Sequence, residues 1–333
     1  MTTTIKKLEG SRVEITGTIP VAVLEKERRH AVEEMANSVK IDGFRQGKIP
    51  EAVLIQKFGE MTLLSEMAEH AIAKLYPGIL REHEVEALGR PDVKITKLAP
   101  GNPVEYVITT AVMPEVTLPD YKKIAKTAMT EELESVLPTE KEIEDVVLEI
   151  KKMRTDKETG EAPELDDAFV QSIGTFTDVA DFKAKITENI KLEKEIKQRD
   201  KRRATTLERI AEATKTELPE VLVTTELERM FAKLKGNIEH SGGNFDAYLE
   251  EHGKTEDDIK RELRPAAEKR TRFELVLKNI GKAEKLEVDE ADVDKEAQQI
   301  LTHYKGADPE RVDLYVEGLL MNEKVLQFLE AQK

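Results

Sequence analysis

Residues 41–50 read IDGFRQGKIP, and they separate one amphipathic helical pattern from the next. Gly43 and Gly47 allow backbone conformations with positive φ that other residues resist, so the two glycines can bracket a tight turn. One aromatic side chain and two cations stand between and beside them. Pro50 suits the first turn of a helix, because its φ is fixed and its missing amide hydrogen is not needed there. The stretch therefore predicts a functional loop tip in front of a helix.

The segments on either side of this loop predict a small α+β domain. Polar and apolar residues alternate before the loop and again after its helices, as in half-buried strands, whereas the intervening apolar residues follow helical spacing. The predicted elements are strands at 3–9, 11–19, 93–98 and 104–113 and helices at 20–39 and 61–83. Strands, helices and strands in that order describe a compact α+β domain, which ends where two prolines follow Met113.

The remainder of the chain is predicted to be mostly helical. Residues 113–119 carry two prolines and few helix signals, residues 121–137 are expected to form an extended linker, and residues 138–153 predict one helix. We therefore expect an α+β protein with three segments. They are an α+β domain at 1–113, a linker with one helix at 114–163, and an elongated helical domain with arm-like helices at 164–333, packed with the 138–153 helix.

Composition excludes several classes of protein. The net charge of −15 argues against broad nucleic-acid binding, because a duplex-binding surface needs many cations, so no DNA partner is expected. The chain has no cysteine, which removes disulfides, thiolate metal sites and cysteine nucleophiles. Neither a secretory signal nor a run of about 18 apolar residues is present, so we expect no membrane partner and a cytoplasmic location.

Motifs for catalysis are absent from the sequence. The six histidines are scattered without paired ligand spacing, and there is no phosphate-binding glycine loop and no nucleophile elbow. We expect no catalytic residue, no metal and no cofactor. The densest basic run, residues 197–203, could touch nucleic acid, but the acidic residues around it favour a solvated helix face.

The loop at 41–50 permits two interpretations. Phe44 can tuck back into its domain, which would leave an ordinary solvated turn. Alternatively, Phe44 offers a ring for stacking while Arg45 and Lys48 make charge-assisted contacts to phosphates. A few such contacts would supply modest, salt-sensitive affinity, which suits a protein that must bind and leave.

Residues 43–50, GFRQGKIP, resemble the ribosome-binding signature of the trigger factor family of bacterial chaperones. Residues 113–116 resemble the family's domain exit, and residues 162–169 resemble the start of its helical domain. The resemblance implies an ATP-independent chaperone that docks at the ribosomal exit tunnel and shields nascent or unfolded polypeptides. It further implies contacts to large-subunit protein uL23 and adjacent rRNA, and a possible homodimer. The implied ribosome-binding residues are Gly43, Phe44, Arg45, Gln46, Gly47 and Lys48.

Two departures from the family pattern affect these expectations. Gln46 stands where the family usually has a second cation, so the resemblance implies docking that is weaker or relies more on Lys48. Residues 154–163 stand where the family commonly inserts a peptidyl-prolyl isomerase domain, and a β-rich pocket of roughly a hundred residues does not fit there. We therefore expect no enzyme activity. The alternatives are an isomerase with an unrecognised site and a periplasmic-type holdase that never meets a ribosome.

Overall fold

The protein is described by a computed structural model covering residues 3–131, 135–154 and 162–332. It has the predicted α+β composition, with one sheet and many helices. The strands are β1 (Thr3–Leu8), β2 (Arg12–Ile19), β3 (Ala87–Lys97) and β4 (Val104–Val112). The first helices are α1 (Val21–Ser38), α2 (Glu51–Phe58), α3 (Glu60–Glu82), α4 (Tyr121–Thr130), α5 (Glu140–Met153) and α6 (Asp167–Ile173). The later helices are α7 (Val179–Ala213), α8 (Glu220–His240), α9 (Phe245–His252), α10 (Glu256–Ala283), α11 (Glu290–His303) and α12 (Pro309–Glu330).

The described residues divide between two compact units, and the division does not follow the order of the chain. The first unit comprises Met1–Thr117 and Lys215–Leu275, and the second comprises Leu118–Thr214 and Val276–Lys333. Helices α8 and α9 and most of α10 therefore belong with the sheet. The predicted segments 1–113, 114–163 and 164–333 stay a prediction.

The sheet of the first unit is antiparallel, with strand order β1-β2-β4-β3. Alternate residues of β2 and β4 are buried, as expected for strands that have one face on a core. Helices α1 and α3 pack against each other and supply the other half of that core. The largest fully buried side chains of this core are Ile15, Ile19, Leu24, Leu54, Leu63, Met67, Tyr106 and Ile108.

A later segment of the chain returns to this sheet. The backbone amides of Gly10 and Ser11, at the turn between β1 and β2, donate to Glu217 Oε2 at 2.8 and 3.1 Å. Thr117 and Lys215 form an isolated antiparallel bridge beside it. The carboxylate of Glu217 thus satisfies two turn amides, which fixes the start of the α8 segment against the hairpin.

The prediction of an extended linker at 121–137 was wrong, because residues 121–130 form α4. The side chain of Asp120 accepts from the amide of Lys123 and caps the helix. Ala125 and Ala128 are buried where α4 packs against α7 and α12. Small alanine side chains give a weak hydrophobic signal in the sequence, although they bury fully at a close helix contact. Residues 132–134 of the predicted linker lie outside the described residues.

Helix α5, which was predicted, begins at a complete capping box. Thr139 Oγ1 accepts from the amide of Glu142, and the Glu142 carboxylate accepts from the amide of Thr139. Lys194 of α7 donates to the same carboxylate at 2.7 Å. These hydrogen bonds, first from Lys194 and then from Thr139, lower the pKa of Glu142 to about 2. Most of the polar connection predicted after α5, residues 155–161, lies outside the described residues.

The depressed pKa of Glu142 predicts a specific acid sensitivity. Its stabilising contribution is fully present above the ordinary carboxyl pKa and is lost as the pH falls from about 5 towards about 2. We expect the Tm of the parent to fall more over this window than the Tm of Glu142→Gln, whose amide does not titrate. Thermal unfolding of both proteins across the window measures the difference, and identical acid dependence would show that this carboxylate is not linked to stability.

Candidate functional site

The loop between α1 and α2 consists of two successive turns. The amide of Phe44 closes the first turn by donating to Ile41 O at 3.1 Å. The amide of Lys48 closes the second by donating to Arg45 O at 2.9 Å. Gly43 has φ +85° and Gly47 has φ +76°, and each is the third residue of its turn. That position requires positive φ in type II turns, which explains why glycine is found at both. The predicted glycine-bracketed turn is confirmed as a pair of turns.

The second turn is tied back to the end of α1. The amide of Gly47 donates to Ala36 O at 2.8 Å, and the Gln46 side-chain amide donates to Asn37 O. Both acceptors are carbonyls of the last helical turn, which have no partner within the helix. A side chain at Gly47 would collide with the side-chain oxygen of Asn37. Gln46 therefore stabilises the loop through its hydrogen bond to α1, although it supplies no positive charge.

The two flanks of the loop are anchored in the first unit. Ile49 is 4% exposed, and Ile41 packs against the same core. Arg28 of α1 donates to the carboxylate of Glu51, the first residue of α2, at 2.8 Å. That contact is the main cause of the raised pKa of Arg28. Buried flanks and a salt bridge between the adjoining helices leave only the tip of the loop free of the core.

The tip of the loop presents its aromatic ring and both cations to solvent. Phe44 is 41% exposed, so the interpretation in which it tucks into the domain does not match the structure. Arg45 and Lys48 are exposed, and neither makes an ion pair or side-chain hydrogen bond within the described residues. An exposed ring beside two cations without internal partners can stack on a base and contact phosphates.

The basic run at 197–203 is used in part within the second unit. Arg203 of α7 donates to Glu323 at 2.9 Å and to Glu330 at 2.7 Å, both on α12. These hydrogen bonds raise the pKa of Arg203 and lower the pKa of Glu323. The prediction of a simple solvated face missed this residue, because carboxylates more than a hundred positions away cannot be assigned from sequence. Arg203 joins α7 to α12.

Exposed apolar side chains are concentrated in the second unit. Of the thirteen large apolar residues that the structure shows as exposed, nine lie there and range from 41% to 82% exposure. They are Leu137, Leu148, Met153, Leu192, Ile196, Tyr304, Leu314, Tyr315 and Leu319. Contiguous exposed apolar surface often marks sites that bind other proteins, so these residues are candidates for such a site.

Helix α12 shows how this surface arises. Val312 and Val316 are buried against α11, while the neighbouring Leu314, Tyr315 and Leu319 are 68%, 56% and 49% exposed. A helix that is apolar on more than one side cannot bury every side against one partner helix. We call Leu314, Tyr315 and Leu319 the α12 patch.

The structure adds two findings on ligands and membranes. Within the described ranges, no group of three or more His, Asp or Glu side chains is arranged to hold a metal ion. Among the helices of those same ranges, none is both long and apolar enough to span a membrane.

Two models of known protein families match the chain, one in its amino-terminal part and one in its carboxyl-terminal part. Residues 1–150 match the family described as bacterial trigger factor protein, and residues 178–331 match the trigger factor protein C-terminus. A curated trigger factor from Agathobacter rectalis is 24% identical, covering 95% of this chain and 90% of its own. Another, from Halothermothrix orenii, is 25% identical, with 97% of each chain covered.

A solved structure supports the fold. It comes from work on promiscuous substrate recognition in folding and assembly by the trigger factor chaperone, and it matches with a TM-score of 0.58 at 16% identity. The match covers 100% of this chain and 100% of the chain in that structure. Together with the two family matches, this fold places the protein among the ribosome-associated molecular chaperones. The chain belongs to the bacterial trigger factor family.

Proposed function

We propose that the loop at residues 43–48 is the contact by which this chaperone docks at the ribosomal exit tunnel. Phe44 and Arg45 would make the principal contacts, with Lys48 as the second cation. Large-subunit protein uL23 and the adjacent rRNA would be the partners. The observation that carries the proposal is that both cations and the ring are exposed on a loop held by the end of α1.

A loop that is already ordered loses little conformational freedom on binding. Two turn hydrogen bonds and two hydrogen bonds to α1 fix the backbone of the tip before any partner arrives. Preorganisation of this kind raises affinity, because immobilising a flexible loop would cost free energy. The absence of a cation at Gln46 reduces the charge available, so we expect docking that is readily reversible.

The second half of the proposed function is the shielding of unfolded polypeptide by the second unit. Its exposed apolar residues lie on α5 and just before it at Leu137, on α7, and on the α11–α12 hairpin. Contacts to such surfaces need no nucleotide, because burial of apolar area supplies the binding free energy. We propose that the cellular location is the cytoplasm, where nascent chains emerge, and that the 164–333 segment provides most of the client surface. Self-association into a homodimer off the ribosome is part of the same proposal.

We infer that this chain does not act as a prolyl isomerase. The two family matches leave residues 151–177 between them. An isomerase domain of roughly a hundred residues does not fit that interval. A proline-limited refolding assay tests the inference, and acceleration that an active-site ligand abolishes would contradict it.

Co-sedimentation with ribosomes at low and high salt tests the docking proposal. We expect the parent protein to pellet with vacant ribosomes at low salt and to be released substantially at high salt. Contacts from cations to phosphates weaken as salt rises, and binding through about two phosphates loses roughly tenfold in affinity for a fivefold rise in salt. The same protein centrifuged at both salt concentrations without ribosomes is the control for pelleting by aggregation. Failure of the parent to pellet would favour a holdase that works away from ribosomes.

A further inference from the structure

A concave surface lies in the first unit, between α1, α3 and β3. It encloses about 720 Å³ and is lined on α1 and α3 by carboxylates, a histidine, and small, aliphatic and aromatic side chains. Pro91, Val93 and Ile95 of β3 form its floor. We call this surface the acidic groove. None of the six proposed docking residues lines it.

The floor of the acidic groove is an uncovered part of the hydrophobic core. Val93 pairs with Ile108 and Ile95 pairs with Tyr106 across the β3–β4 ladder. Directly opposite residues of antiparallel strands point to the same face, so both β3 side chains lie on the side where Ile108 and Tyr106 are buried. Val93 is nevertheless 37% exposed. The helices cover the centre of the sheet and leave the core side of its edge strand open.

The rim of the acidic groove carries one sign of charge. Glu34, Glu66 and Glu69 line it, and among the residues that the structure describes no lysine or arginine does. His70 contacts Glu34 at 2.7 Å. Glu66 and Glu69 make no ion pair or side-chain hydrogen bond in the part of the chain that the structure describes. Unneutralised carboxylates beside an apolar floor attract a cationic partner and repel the phosphates of RNA.

We propose that the acidic groove binds an extended client segment in which apolar side chains alternate with lysine or arginine. The apolar side chains would cover Val93 and Ile95, and the cations would meet Glu66 and Glu69. This proposal rests on the chaperone function proposed above and adds a client site on the docking unit itself. Recognition is through side chains, because the register shifts of β3 and its Pro91 interrupt the edge that an added strand would need.

The position of the acidic groove favours a client over other cationic partners. Glu34 lies one helical turn before the end of α1, and the docking loop is hydrogen-bonded to Ala36 and Asn37 of the same final turn. The groove therefore opens at the end of the unit that carries the docking loop. A polypeptide that emerges beside a docked loop meets this groove early, while it is still extended.

Photo-crosslinking from the groove tests the proposal in the full chain. Ala73 lines the groove and is exposed, so a photoreactive residue placed there reports directly on its occupancy. The probe is a labelled peptide of alternating leucine and lysine, compared with a peptide of alternating leucine and glutamate. We expect saturable crosslinking of the lysine peptide and little of the glutamate peptide. Glu66→Gln with Glu69→Gln should raise the half-saturating concentration of the lysine peptide about fivefold.

Glu82→Gln with Glu84→Gln is the matched control, because both carboxylates are exposed and neither lines the groove. This control should crosslink as the parent does. Equal crosslinking of the two peptides, or an unchanged half-saturating concentration in Glu66→Gln with Glu69→Gln, would overturn the proposal. So would crosslinking that appears only with ribosomes and captures a ribosomal protein. If the protein pellets with ribosomes but shows no peptide crosslink, the proposal of a client site in the groove is wrong, whereas the docking proposal is unaffected.

Discussion

Replacing Phe44 and Arg45 together by alanine is expected to lower ribosome affinity about a hundredfold. Loss of a stacked ring costs about 1–3 kcal/mol, and loss of a charge-assisted hydrogen bond costs about 1.5–3 kcal/mol. A combined loss of about 3 kcal/mol corresponds to roughly a hundredfold in the dissociation constant. Both side chains are exposed and support no buried contact, so the fold should persist. Co-sedimentation with vacant ribosomes over a range of concentrations gives the two dissociation constants.

The control for this pair is Tyr304→Ala with Lys305→Ala. It also removes an exposed aromatic residue and its neighbouring cation, but at the turn between α11 and α12. Its binding to vacant ribosomes should equal that of the parent. If the Phe44 and Arg45 variant binds as tightly as the parent while the parent's own binding is salt-sensitive, docking uses another surface and the assignment of the loop is wrong.

Replacing the three residues of the α12 patch by serine is expected to weaken client binding about tenfold. These side chains are roughly half exposed, so covering each one gains about 1 kcal/mol, from which the cost of ordering the client must be subtracted. Their exposure also means that serine leaves no cavity in the protein. Suppression of aggregation of an unfolded client, and titration of that client with the chaperone, measure the effect.

Asp313→Ser with Glu317→Ser provides the comparison on the same helix. Both residues are exposed on α12 and lie outside the patch. This variant should suppress aggregation as the parent does, and ribosome pelleting should be unchanged in both α12 variants. Equal suppression by the serine variant of the patch would place the client surface elsewhere in the second unit.

Much of the fold follows from local patterns in the sequence. Strands β1, β2 and β4 and helices α1, α3 and α5 were predicted within a few residues, because one side of each is apolar at the correct period. Helix α4 was missed because its buried face consists of alanines. The division into two units was not foreseen, since it depends on contacts such as that of Glu217 with the first hairpin. Contacts across some two hundred positions leave no local signal.

Some features of the candidate sites were likewise predictable from local sequence, whereas others depend on the folded structure. Glycine spacing predicted the turns at Gly43 and Gly47, because positive φ is a requirement of the residue itself. The hydrogen bond from Gln46 to α1 was invisible, as it depends on where the helix ends. On α12, apolar spacing alone does not distinguish the buried Val312 and Val316 from Leu319, which is 49% exposed. The acidic groove was hidden because three glutamates carry no information in a chain with 67 acidic residues.

The discontinuity of the first unit has a consequence for the biogenesis of the protein. Residues 118–214 are synthesised after the sheet and before the segment that caps its first hairpin. During synthesis, the amides of Gly10 and Ser11 therefore lack their acceptor until Glu217 has been made. In the same way, β3 lacks its contact with α8 until that helix has been made. Such distant pairings form late, since closing a long loop must precede any gain from the contact. A chaperone of nascent chains is thus itself a nascent chain whose amino-terminal unit, which ends at Leu275 of 333 residues, is completed only after more than four-fifths of its synthesis.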